Sequence, residues 1–322
     1  MKIGSQKIDC SVVASVFDEE EGVVMFYKSL SETLVNLQIT YEIIFVNDGS
    51  TDNSLSILKS IAETDNMVRI VDFSRNFGHE AAMIAGIDHA CGESVICMDS
   101  DLQHPPQMIA EMLQKKAEGF EVINMVRTDN KDVGIFQKLN SKLFYRFINS
   151  ISSVKIAENA SDFFLISQKV CKILRSDFRE RTRFLRGIIQ LVGFRKTTIE
   201  YIAPKRMAGK SKYSFWKLLK LSFTAISSFS KLPLQLGIVT GLIFSIMSLI
   251  LILYSLIMFI LGKTIPGYTT LIIFMSAFAG IQLFVTGIIG QYISYVFEEV
   301  KGRPAYIVNE LYNFEDEENN IS

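Results

Sequence analysis

Neither charge is in excess in this 322-residue chain: 33 lysines and arginines stand against 34 aspartates and glutamates, a formal net charge of -1. That balance argues against a protein built to coat nucleic acid, although local clusters can still act. Cysteine is scarce as well. Cys10, Cys91, Cys97 and Cys171 show no CxxC spacing, so they suggest neither a disulfide framework nor a zinc site and read as reduced thiols of a cytosol-facing domain. The first residues, with Lys2 and Lys7 among polar neighbours, have no apolar core of the kind a secretion signal needs. The first two hundred residues are therefore expected to stay where they are made.

Apolar residues are abundant. They make up 49% of the chain and the mean hydropathy is +0.26, with most of the excess after residue 232. Residues 234–261 are 28 positions without a charge, and residues 268–297 are 30. About 20 apolar residues suffice to cross a bilayer, so each run can span with tilt. Two buried helices of a soluble core are the alternative, but runs this long and apolar all round suit lipid better. Only Gly262-Lys263-Thr264-Ile265-Pro266-Gly267 separates them, which predicts a tight turn and a two-helix transmembrane hairpin. Lys205, Arg206, Lys210, Lys212, Lys217, Lys220 and Lys231 precede the pair and Lys301 and Arg303 follow it. The positive-inside rule then places both flanks in the cytoplasm. Basic and apolar positions alternate over 214–231, with Trp216, Leu218, Leu219, Leu221 and Phe223 among the apolar ones. This suits an interfacial helix, or else an amphipathic helix packed on the soluble domain. The expected divisions are 1–204, a soluble domain; 205–232, a basic loop and interfacial helix; 233–298, two membrane helices; and 299–322, a cytoplasmic tail whose last residues, 315–322, are acidic, polar and expected to be disordered.

The first 204 residues alternate between apolar runs and helical patterns. Runs at 8–17, 41–47, 68–73, 94–98 and 121–126 predict buried strands, and 53–63, 80–89 and 106–118 predict helices. The expected class is α/β, a mostly parallel sheet with helices on both faces. Such sheets bind ligands beyond the carboxyl ends of their strands, and acids stand at those ends here. The second run leads into Asp48-Gly49-Ser50-Thr51-Asp52, where Asp48 can hold a ribose hydroxyl or a base edge. The plain alternative is an Asx-turn, with Ser50 or Asp52 capping the next helix. The fourth run ends in Asp99-Ser100-Asp101-Leu102-Gln103-His104-Pro105-Pro106. Two aspartates two apart at an opening strand can hold Mg²⁺ or Mn²⁺ against a diphosphate. His104 reads either as a metal ligand or as a residue closing the loop, and His79 and His89 as ordinary helix residues.

In order along the chain, Val12-Val13…Glu19-Glu20, Val46-Asn47-Asp48-Gly49-Ser50-Thr51-Asp52, Ser74-Arg75-Asn76-Phe77-Gly78 and Asp99-Ser100-Asp101-Leu102-Gln103-His104-Pro105 resemble the family 2 glycosyltransferases of the Rossmann-like GT-A fold. Asp162-Phe163-Phe164-Leu165, Arg206…Gly209-Lys210-Ser211-Lys212-Tyr213 and Glu298-Glu299-Val300-Lys301-Gly302-Arg303-Pro304 narrow the likeness to the polyprenyl-phosphate branch, over about residues 8–311. The resemblance implies nucleotide-sugar contacts at Asp48, Asp99, Glu19 and Arg75, and a metal at Asp99, Asp101 and Gln103. It implies catalytic roles for Asp101 and Asp162, the latter as a base or an orienting group. The acceptor phosphate is implied at Arg127, Arg206, Ser211 and Lys212, with Arg186 next in line. The family's first strand usually ends Pro-x-Tyr-Asn-Glu, where this chain has Ser15-Val16-Phe17-Asp18-Glu19. Its Arg-x-x-Arg after the fifth strand is here Arg127-Thr128-Asp129-Asn130, so only Arg127 carries over.

The implied reaction is inverting transfer of a sugar, from a UDP-sugar first, to undecaprenyl or dolichyl phosphate at the cytoplasmic membrane face. Mg²⁺ or Mn²⁺ is the implied cofactor and no nucleic acid is a partner. A homo-oligomer and a downstream flippase or polytopic glycosyltransferase are compatible partners. Two alternatives are weighed against it. A processive polysaccharide synthase would need a longer membrane channel and a Gln-x-x-Arg-Trp motif, which Ser214-Phe215-Trp216 does not supply. A non-catalytic membrane scaffold would not need the intact set Asp48, Asp99 and Asp101.

Overall fold

The computed structural model describes residues 7–128, 160–179, 185–202, 204, 232–261 and 267–314. These fall into two compact units. One holds a mixed sheet and takes in the chain from 304 onward; the other holds two long apolar helices.

The five expected strands are β1 (Cys10–Val16), β2 (Tyr41–Asn47), β3 (Val68–Phe73), β4 (Ser94–Asp99) and β5 (Val122–Thr128). The central ones are buried along nearly their whole length because both faces are covered. On one face Val12, Ala14 and Val16 join Phe26, Leu30 and Leu34 of α1 (Val23–Asn36), Leu58 of α2 (Ser54–Thr64) and Met112 of α4 (Ile109–Ala117) in one core. On the other, Val13 lies against α3 (His79–His89).

Three more strands complete the sheet: β6 (Ala160–Ser167), β7 (Lys196–Ile202) and β8 (Val308–Tyr312). The order is β7-β5-β6-β4-β1-β2-β3-β8. Pairings β1/β2, β1/β4, β2/β3 and β5/β7 are parallel, while β3/β8, β4/β6 and β5/β6 are antiparallel. The sheet is therefore mixed rather than mostly parallel. The difference arises because β6 enters against the direction of both its neighbours and β8 closes the far edge antiparallel to β3. Edge strand β7 alternates, with Ile199 and Tyr201 buried and Lys196, Thr198 and Glu200 exposed, the pattern of a strand wet on one face. Part of the stretch expected as a tail, Val308–Tyr312, is thus a strand of the sheet. Two short helices, α5 (Gln168–Ser176) and α6 (Leu185–Leu191), come after β6.

Helix α3 is buried from Ala81 to Ile87 on every side, which its small residues permit. A Cβ added at Gly86 would fall 2.0 Å from Val13 Cγ1.

In the second unit, α7 (Leu232–Ile260) and α8 (Tyr268–Val300) correspond to the two uncharged runs. Gly237 of α7 faces α8, where a Cβ would come 3.2 Å from Val285 Cγ1. Large apolar side chains stand exposed along both, among them Leu242, Leu249, Leu283 and Phe284. Among the described residues one segment, Ala277–Val300, is long and apolar enough to cross a membrane, and none of it is buried. The expected turn at 262–266, the interfacial helix at 214–231, the tail end at 315–322 and the acceptor residues Arg206, Ser211 and Lys212 lie outside the described residues.

The α3–β1 contact makes a stability prediction. Gly86→Ala overpacks a filled core and should cost about 1–3 kcal/mol. Thermal unfolding will read the loss, and Val13→Ala in the same chain should recover part of it by returning the volume, more than additivity of two distant changes allows.

Candidate functional site

The carboxyl ends of β1, β2 and β4 open on one edge of the sheet, and the residues there hold one another through their loops. At the end of β2, Gly49 has φ +66, and a Cβ on it would fall 2.4 Å from the carbonyl carbon of Arg75. Only glycine meets both demands, so the loop after β2 presses directly on the loop after β3. Asp48 uses that proximity. It is 3% exposed, and its Oδ1 accepts the Phe77 N–H at 2.7 Å while the Gly78 N–H reaches Oδ1 at 3.2 Å and Oδ2 at 3.0 Å. Burial raises its pKa and the two amides pull it back. Of the alternatives at this turn, Asp52 makes the Asx-turn, its Oδ1 accepting the Ser54 N–H at 2.9 Å, while the N-cap of α2 is Asn53 without a side-chain bond. Glu19 adjoins this corner through its own N–H, which donates to Ser54 Oγ at 2.9 Å. Arg75 lies over the Phe77 ring, 3.9 Å from its centroid, and is exposed.

The loop after β4 is tightly wound. Leu102 adopts φ 62, an uncommon conformation for a branched side chain whose cost the surrounding bonds must offset. Asp101 Oδ1 accepts the Gln103 N–H at 3.0 Å, Arg127 Nη1 donates to Gln103 Oε1 at 3.2 Å, and Ser100 Oγ donates to the Ser15 carbonyl at 2.8 Å. His104 closes the loop. Its Nδ1 accepts the Asp99 N–H at 2.8 Å, and its ring stacks on Phe163 with centroids 5.1 Å apart. A nitrogen committed as an acceptor carries no proton, and burial lowers the pKa against the pull of the nearby aspartates, so the ring is neutral.

Asp162 arrives on β6. The register pairs Cys97 with Phe164; continued two residues along the antiparallel ladder, it sets Asp162 opposite Asp99. Between the two carboxylates stands His79, the first residue of α3. Its Nε2 is 3.4 Å from Asp99 Oδ1 and 3.6 Å from Asp162 Oδ2, and its Nδ1 is 2.8 Å from Ser15 Oγ. Burial opposes charge on this ring, but Asp162 and Asp99 outweigh it and raise its pKa to about 9. Arg186 of α6 grips Asp162 from the other side, Nη2 donating to Oδ2 at 2.8 Å with Nε 2.6 Å from Oδ1. Burial alone would raise the Asp162 pKa; His79 and Arg186 bring it down to about 2. Asp99 has no such grip. Burial raises its pKa, with His104 and His79 opposing and Asp162 and Asp101 adding to it.

His79 is the site residue that the sequence pattern does not mark, because it reads as an ordinary helix residue. The available signal is its place directly after Ser74-Arg75-Asn76-Phe77-Gly78. Of the expected site residues, the structure joins Asp99 with Asp162 through His79, and Asp101 with Gln103 and Arg127. It holds Asp48 against the loop that carries Arg75.

Whether a divalent cation fits can be read from the oxygen atoms. No cluster of three or more metal-ligating His, Cys, Asp or Glu side chains occurs among the described residues. Among the described residues, the ion-pair partners of the Asp99 carboxylate are the His79 and His104 rings, at 3.4 and 3.7 Å, longer than a good hydrogen bond. Two carboxylates and an amide oxygen are hard donors suited to Mg²⁺ or Mn²⁺, which complete their shell with phosphate oxygens and water rather than with an all-protein cage. The donor set fits.

The chain resembles known proteins over most of its length. The model of "Glycosyl transferase family 2" matches residues 11–174. An uncharacterized glycosyltransferase of Bacillus subtilis is 39% identical over 315 residues, 97% of each chain. A prophage-derived bactoprenol glucosyl transferase of Shigella flexneri is 37% identical over 299 residues, 92% of this chain and 96% of its own. Among solved structures, S. aureus TarS 1-349 in complex with UDP-GlcNAc is 15% identical with a TM-score of 0.45, covering 69% of this chain and 67% of its own. With half its length matched by the family model and relatives aligned almost end to end, the chain belongs to glycosyl transferase family 2 and is a glycosyltransferase.

Proposed function

We propose that this glycosyltransferase moves a sugar from a nucleotide-sugar, a UDP-sugar in the first instance, to polyprenyl phosphate at the cytoplasmic face of a membrane, with inversion. The observation that carries the reading is the combination, in one chain, of an acid-lined site at the strand ends with an apolar helical span of which nothing is buried. Relatives named bactoprenol glucosyl transferase align over both parts.

Asp48, Glu19 and Arg75 are the proposed contacts of the nucleotide. Asp99, Asp101 and Gln103 would hold Mg²⁺ or Mn²⁺, which when bound neutralises charge on the departing nucleotide. Arg127 adds a fixed cation beside Gln103. Asp162, gripped by Arg186 and ionised down to a pKa of about 2, is a poor base. A phosphate monoester with a second pKa of ~6 needs none near neutrality. Asp162 therefore serves to orient, aided by His79. Arg206, Ser211 and Lys212, with Arg127, are the proposed receivers of the lipid phosphate.

The connectivity favours the hairpin. The chain leaves the sheet unit before α7 and rejoins it at 304, after α8. A chain that returns to its starting side crosses a membrane an even number of times. If Ala277–Val300 spans, α7 supplies the second crossing.

Three tests bear on this reading. Asp99→Asn and Asp101→Asn should each abolish transfer while thermal unfolding and membrane association stay as in wild type, and a chelator should silence the wild type; full turnover in chelator removes the metal. Reporters at the N-terminus and after Ser322 should be cytoplasmic and one inserted at Thr264 external, whereas a cytoplasmic Thr264 reporter rejects the hairpin. Arg206→Ala and Lys212→Ala should each cost on the order of 1.5–3 kcal/mol, roughly tenfold to 150-fold in KM for polyprenyl phosphate, with nucleotide-sugar binding little changed. An unaltered lipid KM in both would move the acceptor site to Arg127 and Arg186.

A further inference from the structure

The stretch after α8 carries none of the acids or cations of the site and lies well outside the family match, which ends at residue 174. Its contacts nevertheless run straight to the loop of residues 74–78. The Ser74 N–H donates to the Ile307 carbonyl at 3.0 Å. The Tyr306 ring stacks on Phe73, centroids 5.1 Å apart and planes 13° apart, and Phe73 meets Phe77 edge-on at 5.7 Å. The Tyr306 hydroxyl donates to Asp88 Oδ2 at 2.7 Å, and Arg179 Nη1 reaches both Asp88 oxygens, at 2.8 and 3.0 Å. Further along, Asn309 Nδ2 donates to Asp72 Oδ2 at 2.8 Å, while Asn47 Nδ2 donates to Asp72 Oδ1 at 2.7 Å.

The loop is thus held from two sides. Asp48 takes the amides of Phe77 and Gly78 at its carboxyl-terminal end. Ile307 and Tyr306 take Ser74 and Phe73 at its start. Between these anchors Arg75 and Asn76 are exposed; Arg75 Nη1 donates to the Asn76 carbonyl at 2.9 Å, and the backbone of both lies against Gly49. If the outer anchor slackens, the loop can drift and Asp48 loses amides that a buried carboxylate needs. His79 comes directly after Gly78, so the same drift would carry its ring away from Asp99 and Asp162. The clasp on Asp88 acts on the same helix from its other end, because Asp88 and His79 are both in α3.

We propose that Tyr306 is a positioning residue for the donor site: stacked on Phe73 and bonded to Asp88, it sets the 74–78 loop, and through that loop Asp48 and His79. The donor end of the sheet is then complete only once the chain has returned from its apolar helices. The proposal rests on the placement of the nucleotide-sugar at Asp48, and the test separates the two.

The full-length protein is used with three substitutions. Tyr306→Leu keeps bulk and loses both ring stack and hydroxyl. Tyr306→Phe keeps the stack and loses the hydroxyl, with its bonds to Asp88 and Arg179. Lys59→Met breaks an ion pair with Glu310 of β8 without touching the loop. Tyr306→Leu should speed amide hydrogen exchange at Phe77 and Gly78 and raise the KM for nucleotide-sugar roughly 3- to 30-fold, the span of coupling seen along packed networks, with a smaller change in kcat. Tyr306→Phe should fall between Leu and wild type in both readings. Lys59→Met should lower the unfolding temperature and leave both readings as in wild type. Exchange at Phe77 and Gly78 in Tyr306→Leu equal to wild type overturns the proposal, as does an equal rise in KM from Lys59→Met. Faster exchange with an unchanged KM keeps the clamp and overturns the placement of the donor at Asp48.

Discussion

Asp99, Asp101 and Asp162 meet where β4 and β6 open, and like charges brought together in a partly desolvated place must be offset or protonated. Most of the site's geometry stems from how that repulsion is managed. Asp162 is offset twice, by the Arg186 fork and by His79, and stays ionised. Asp101 is turned into its own loop, where it accepts the Gln103 amide. Asp99 faces the His79 and His104 rings at 3.4 and 3.7 Å, a looser hold than the Arg186 fork gives Asp162. That inequality sets Asp162, firmly held, apart from Asp99, the carboxylate proposed to face a cation.

The same site depends on backbone held at close quarters. Gly49 lets the loop after β2 touch the loop after β3, and Gly86 lets α3 lie flat on β1. These two contacts set the height of α3 over the sheet, hence where His79, at its first turn, meets the acids. The edge strand β8 and the residues just before it add a brace at the far side, through Ile307, Tyr306 and Asn309. The helix-bearing second unit and the sheet are parts of one continuous chain, and the brace is built from residues C-terminal to the last apolar helix.

Much of this is legible in the sequence, because it is local. Five strands stand out as mainly apolar runs, since burial on both faces leaves few polar positions, such as Ser11 and Glu42, to break the pattern. Asp48, Asp99 and Asp101 stand out because a strand ending in an acid is a signal confined to a few neighbouring residues. The two long uncharged runs need only counting. Strands β6, β7 and β8 are not legible. Asp162 and Ser167 interrupt β6, β7 is half exposed, and β8 is five residues long with no fully buried position. His79 is hidden because its α3 neighbours read as plain core.

What the sequence by itself determined is therefore five of the buried strands, the acids at their ends and the apolar length available for a membrane. These depend on composition and spacing within one element. Only the tertiary structure decided the partners. Asp99 and Asp162 are 63 positions apart in the chain, and their meeting rests on the antiparallel register of β6 against β4. Tyr306 and Asp88 are farther apart still, by 218 positions. A local pattern states which side chains must be buried, but not which distant strand will lie beside them. That is settled when ladders and packing between remote segments lock into one register.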